Sequence, residues 1–86
     1  MPRLSDFYGI VIYMYYRDHA PPHFHAIYGE HEAAIDIVMG ATLEGTLPRR
    51  ARNLVEDRLV LHRQDLLVNW NLATQQQPLV RIDPLD

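Results

Sequence analysis

The feature that most constrains the fold is a two-residue turn between two strand-like runs. Gly29–Glu30 separates HFHAIY, residues 23–28, from HEAAIDIV, residues 31–38. A glycine followed by a polar residue between such runs is typical of a type II′ hairpin, and the turn fixes the register of its strands. The sequence therefore predicts that His23 lies opposite Asp36.

This register sorts the hairpin side chains onto two faces, because side chains alternate across a strand. The face predicted to cover the core carries Phe24, Ala26, Ala33, Ile35 and Ile37. The opposite face carries His23, His25, Glu32 and Asp36. One side of the hairpin is therefore apolar, and the other gathers two imidazoles with two carboxylates.

Three further segments are predicted to be extended. Residues 8–16 are β-branched and aromatic with apolar side chains on both faces, which favours an internal strand, and residues 17–22 form the loop that follows it. Gly40 and Gly45 bracket residues 41–44, which indicates a short fourth strand or a turn. The tail, residues 78–86, is a short extended run with a proline at each end and suits an edge strand.

A single long helix is predicted for the C-terminal half. Thr46 is the expected cap, Pro48 lies in the first turn, and no helix breaker precedes Gln77. The apolar residues recur at three- and four-residue steps: Ala51, Leu54, Val55, Leu59, Leu66, Trp70 and Ala73. A straight helix of this span is about 45 Å long, too long for a domain whose radius of gyration is about 12 Å. Either it bends or ends at residues 62–65, or its apolar distal half projects onto a partner, and we favour projection.

The predicted fold class is α+β in a single domain, residues 1–86: an antiparallel sheet of three to four strands packed against one long C-terminal helix, with a short extended tail.

The chain has no cysteine, which excludes disulfides and thiolate metal sites. We expect a cytoplasmic protein with no membrane association, because no signal peptide or membrane-length apolar run is present. The net charge of −3 argues against indiscriminate nucleic-acid binding, although all eight basic residues are arginines.

Several stretches of the chain carry a family resemblance. They are FYGIVIYMYY, DHAPPHFHA, AAIDI, LPRRA and LLVNW. Over nearly the whole chain they resemble the small bacterial domain-of-unknown-function family 4160. The resemblance implies a toxin–antitoxin-like gene pair and a small partner protein, because members are often encoded beside a second small protein. It implies no catalytic residues, since none are agreed for the family.

The segment DHAPPHFHA, residues 18–26, favours a metal site. His23 and His25 lie on one face of a strand, roughly 6.5–7 Å apart along the backbone, which lets two imidazoles converge on one ion. His19 or Asp18 would supply a third ligand, although aspartate is also typical of a turn there. The sequence thus predicts a divalent metal held by His19, His23 and His25, with Asp36 as ligand or orienting group.

The same histidines suit metal-free RNA cleavage. His23 and His25 would form the acid–base pair, because the ordinary pKa of histidine, about 6.5, lies near working pH. Asp36 would hold the tautomer of one ring. The predicted substrate-binding residues are Arg49 and Arg50 for phosphate and Tyr13 and Tyr15 for base stacking.

A non-catalytic protein- or nucleic-acid-binding module is the alternative. In that case the histidines are structural, and the arginine-rich helix docks on a partner protein, RNA or DNA. The apolar distal helix also predicts a homodimer. An enzyme requires His23 and His25 to converge on an accessible pocket with Asp36 and an arginine, whereas a binding module leaves the histidines dispersed.

Overall fold

The computed structural model describes residues 3–16 and 18–82. Within them the chain forms a five-stranded antiparallel sheet in the order β1-β2-β3-β4-β5 and one helix. The elements are β1 Arg3–Phe7, β2 Ile10–Tyr13, β3 His23–Tyr28, β4 His31–Asp36, β5 Thr42–Gly45 and α1 Arg49–Thr74. The α+β prediction is confirmed, with one strand more than its upper count.

The β3–β4 hairpin has the predicted register. His23 pairs with Asp36, and Ala26 pairs with Ala33. Gly29 has a φ of +59°, the left-handed conformation that the first turn position of a type II′ hairpin requires. The buried apolar face of the hairpin consists of Phe24, Ala26, Ala33, Ile35 and Ile37. Turn chemistry and alternation therefore place both histidines of β3 on the face opposite this core.

The N-terminal hairpin differs from the prediction. Residues 8–16 do not form one strand, because Tyr8 and Gly9 have φ values of +49° and +80° and make a turn. This turn joins β1 to β2, which ends at Tyr13. Two consecutive positive φ values are typical of a type I′ turn, whose usual residues are asparagine, aspartate and glycine. Because tyrosine is unusual at the first position of such a turn, the sequence did not predict this hairpin.

The helix bends at His62, within the range of residues 62–65 in which a bend or an end was one of the two expectations. A straight helix of 26 residues would be about 39 Å long, whereas the longest extent of the domain is 33 Å. His62 has non-helical φ and ψ values of −121° and 19°. Leu66 and Trp70 beyond the bend lie in the core, so the expected projection of the distal half is wrong. Among the described residues, no helix has the length and apolar character that crossing a bilayer requires.

The first turn of α1 lacks the predicted cap. Pro48 occupies the N-cap position, no side chain makes a capping hydrogen bond, and Thr46 is exposed. Arg49 and Arg50 open the helix with exposed side chains, and no acidic residue lies in that turn. The helix dipole receives no side-chain compensation there.

The tail lies along β1 without forming a strand. Asn69 of α1 is buried, donates a hydrogen bond to the carbonyl of Val80 and accepts one from its N–H. Ile82 then donates its N–H to the carbonyl of Leu4, at 2.8 Å. The tail thus covers the outer edge of the sheet through one strand-like bond; the rest of the predicted edge strand, residues 83–86, lies outside the described residues.

Candidate metal centre

A loop and a strand bring three potential metal ligands together. Asp18 follows β2, while His23 and His25 are the first and third residues of β3. Their ligand atoms all lie within 4.8 Å of one another. The Oδ2 atom of Asp18 is 2.9 Å from Nε2 of His23 and 3.3 Å from Nε2 of His25. Two imidazoles and one carboxylate therefore converge at a single point.

The hydrogen bonds of His23 restrict its protonation. Its Nδ1 lies 2.7 Å from the carbonyl oxygen of Pro21. A carbonyl only accepts, so Nδ1 carries a proton and donates it. A neutral ring then has a lone pair on Nε2, directed at a carboxylate of Asp18 that also only accepts. Because the His23 side chain is 3% exposed, water does not resolve this conflict. A cation between Nε2 and the carboxylate, either a proton or a metal ion, would resolve it.

His25 is oriented by two neighbours. Its Nδ1 is 3.6 Å from Oε2 of Glu32, and the ring of Tyr15 meets it edge-on at 4.4 Å. The His25 side chain is largely buried. The contact with Glu32 directs Nε2 of His25 toward Asp18.

The electrostatics of the site favour a charged Asp18. Burial acts to raise the pKa of this carboxyl, but a hydrogen bond from the N–H of His19 and the two imidazoles of His25 and His23 lower it below the ordinary value of 3.8. The opposite shift occurs at Tyr15, where burial and then the charges of Glu32 and Asp18 raise the pKa above 10.0. Asp18 therefore presents a full negative charge at neutral pH.

Asp36 does not contact the imidazoles through any described hydrogen bond. It is the register partner of His23, but its Oδ1 accepts the N–H groups of Val38 and Met39 at 2.8 and 2.9 Å. Aspartate commonly caps the backbone two or three residues further on, and these donors follow directly after β4. Asp18 therefore provides the carboxylate that sequence reasoning assigned to Asp36.

His19 also differs from its predicted role. Its side chain is 80% exposed, and its Nδ1 is 2.9 Å from Oδ1 of Asp18, the oxygen turned away from the other two rings. The ligand group comprises Asp18, His23 and His25 and does not include His19. The strand pattern did not predict where Asp18 lies, because Asp18 belongs to a loop. The only feature of the sequence that indicated its role as a ligand was its place at the start of that loop.

The predicted substrate-binding residues fall in different places. The residues that line an open groove beside the ligands are Tyr15, Asp18, His19, Pro21, His23, His25, Ala34, Leu43 and Glu44. Tyr15 is therefore part of the site, whereas Tyr13 lies beside it as the register partner of His25. Arg49 and Arg50 do not line the groove, and neither does any other described arginine.

Trp70 closes the inner side of the site. Its ring lies 5.2 Å from that of His23, tilted by 47°. The helical spacing of Trp70 predicted a core or interface residue, and the bend in α1 makes it both a core residue and a neighbour of His23.

Fold and site together define a class: a small α+β domain with two histidines and one aspartate converging at the end of its sheet. The family model described as Domain of unknown function (DUF4160) matches residues 9–71. Because this match covers most of the chain, the chain belongs to that family. The matched range includes Asp18, His23 and His25. No curated protein matches the chain, and no solved structure does.

Proposed function

We propose that this domain binds one divalent transition-metal ion through Asp18, His23 and His25. The observation that carries the proposal is the direction of His23: its Nδ1 lies 2.7 Å from a backbone carbonyl oxygen, so Nε2 is the ring atom that faces the Asp18 carboxylate, at 2.9 Å. Imidazole and carboxylate ligands suit zinc, iron and similar ions. Three protein ligands leave coordination positions for water or a further ligand.

The spacing of the ligand atoms supports this proposal. An ion held at about 2.0–2.2 Å from each ligand separates neighbouring ligand atoms by roughly 3.0–3.4 Å in octahedral or tetrahedral geometry. The oxygen of Asp18 is 2.9 and 3.3 Å from the two imidazole nitrogens. Two of the three separations therefore already match those around a bound ion, and the third is no more than 4.8 Å.

The neighbours of the two rings give further support. Histidines that bind metals usually donate their other ring N–H to a carbonyl or carboxylate, which fixes the tautomer. His23 does so to Pro21, and the Nδ1 of His25 lies 3.6 Å from Glu32. Both rings thus direct Nε2 toward the same point.

Metal titration of protein purified without a polyhistidine tag tests the proposal. Trp70 is the only tryptophan and lies 5.2 Å from the His23 ring, so bound Co²⁺ should quench its fluorescence. We expect saturation at one ion per chain. His25→Ala should weaken binding by about 100-fold or more, since loss of a group that merely orients a ligand already costs about 10–100-fold.

The matched control is His31→Ala, an exposed histidine at the other end of the same hairpin. This variant should bind Co²⁺ like the wild type. Quenching that does not saturate, or equal losses in both variants, would refute the proposed site.

RNA cleavage by the same imidazoles has weaker support. Neither Arg49 nor Arg50 lines the groove, and a phosphate there would meet the carboxylates of Asp18 and Glu44. A toxin–antitoxin-like pair, a small partner protein and a cytoplasmic location are proposals that rest on the sequence. A homodimer through distal α1 was expected because the apolar residues of that half would need a partner. Leu66 and Trp70 lie in the chain's own core, so this reason no longer supports a homodimer.

A further inference from the structure

The groove beside the candidate metal centre crosses three strands. Ala34 of β4 pairs with His25 of β3 on one side and with Glu44 of β5 on the other. The short alanine side chain forms a low floor between two larger side chains. Because adjacent strands lie about 4.8 Å apart, the backbones of His25 and Glu44 are separated by about 10 Å. The groove can therefore hold an extended small molecule between the metal ligands and Glu44.

The two ends of the groove differ in charge. Glu44 is exposed and has no hydrogen bond or ion pair within the described part of the chain. The other end holds the proposed metal, whose two positive charges would exceed the single negative charge of Asp18. Between these ends, Leu43 and Tyr15 contribute apolar and aromatic surface. One end thus suits an anionic oxygen donor, and the other suits a cation.

We propose that the groove binds a small zwitterion, with a carboxylate that completes the coordination of the metal and an ammonium group that pairs with Glu44. This inference rests on the proposed metal binding. The apolar walls would contact the carbon chain between the two charged groups. A phosphate ester without an ammonium group has no cationic end to offer Glu44 and should bind less well.

Two probes of equal chain length test the proposal: 6-aminohexanoate and hexanoate, each titrated into the Co²⁺-loaded protein and followed by the visible absorption of the metal. The amine should give tighter binding by up to about fivefold, the upper end of the range for an exposed ion pair. Glu44→Gln should remove this preference while leaving Co²⁺ affinity and hexanoate binding unchanged. Equal affinity of the wild type for both probes, or a preference that persists in Glu44→Gln, would overturn the proposal.

A second variant tests the location of the ligand. Ala34→Val suits a β-strand but raises the groove floor, so we expect both probes to bind at least about fivefold more weakly. Ala41→Val is the matched control, because Ala41 is exposed and does not line the groove. Unchanged probe binding in Ala34→Val would overturn the proposal. Cobalt binding without these ligand effects refutes this inference alone, whereas failure to bind cobalt refutes the proposed function as well.

Discussion

Replacing Asp18 with asparagine tests whether the imidazoles donate hydrogen bonds to the Asp18 carboxylate when no metal is bound. The asparagine oxygen can still accept the N–H of His19, as the carboxylate does at 2.9 Å. Its NH₂ group donates, so it suits the lone pair of a neutral imidazole but opposes the N–H of an imidazolium. The sign of the stability change therefore reports whether Nε2 of His23 donates a hydrogen bond to the carboxylate.

The structure sets the size of the expected change. The contact between Asp18 and His23 is 2.9 Å long, and the two side chains are 16% and 3% exposed. A hydrogen bond involving charged groups contributes about 1.5–3 kcal/mol. The contact with His25 is 3.3 Å, long for a charge-assisted bond, and adds little. We expect Asp18→Asn to lower the free energy of unfolding of the metal-free protein by about 2 kcal/mol at mildly acidic pH.

The pH dependence follows from the lowered pKa of Asp18. A carboxyl whose pKa is lower in the folded than in the unfolded state stabilises the fold above its unfolded-state value. This stabilisation is lost as the pH falls through the folded-state value. The difference in the free energy of unfolding between the wild type and Asp18→Asn should therefore become smaller below about pH 4.

Urea denaturation in the presence of a chelator measures the effect. Asp36→Asn is the matched control, since Asp36 accepts two backbone N–H groups through Oδ1 and asparagine retains that oxygen. Asp36→Asn should lower the free energy of unfolding by less than about 1 kcal/mol. If Asp18→Asn is as stable as the wild type or more stable, His23 does not donate to the carboxylate and the argument that the site needs a cation fails.

Three further predictions concern the fold and the tyrosine of the site. Gly45→Ala should lower the free energy of unfolding by at least about 2 kcal/mol in urea denaturation, because Gly45 has a φ of +73° and an added Cβ would overlap the carbonyl oxygen of Glu32; wild-type stability would contradict this. Asn69→Ala should cost about 2 kcal/mol and accelerate hydrogen exchange of the Val80 amide, whose acceptor is Asn69 Oδ1; unchanged exchange would show that other contacts hold the tail. Because burial and the charge of Glu32 raise the pKa of Tyr15, the tyrosinate absorbance that the wild type has and Tyr15→Phe lacks should titrate with a midpoint above pH 10.0; a midpoint at or below that value would refute the shift.

The hairpin register was predictable because it depends on neighbouring residues. Gly29 takes the left-handed conformation at the turn, and alternation then determines which face each side chain occupies. His23 and His25 lie on one face for this reason, and their rings are 5.2 Å apart. Nothing distant in the chain was needed to place them.

The acid of the site was not predictable in the same way. The strand register determines which residue lies opposite on the neighbouring backbone. It does not determine the hydrogen bonds of a carboxylate, which accepts from any donor that its rotamers can reach. Asp36 reaches the N–H groups of Val38 and Met39 in the following turn. The path of the loop, and not a strand period, brings Asp18 to the rings, so sequence reasoning could name it only as one option.

The bend in α1 links the core to the candidate metal centre. Beyond His62 the helix returns toward the sheet, which buries Leu66 and Trp70. The Trp70 ring then shields His23 from water at a centroid distance of 5.2 Å. Removing water strengthens the interaction between an imidazole, a carboxylate and any cation between them. The apolar side chains that first indicated a partner interface therefore give the site its dry inner wall, and substitutions at Trp70 should alter stability and metal affinity together.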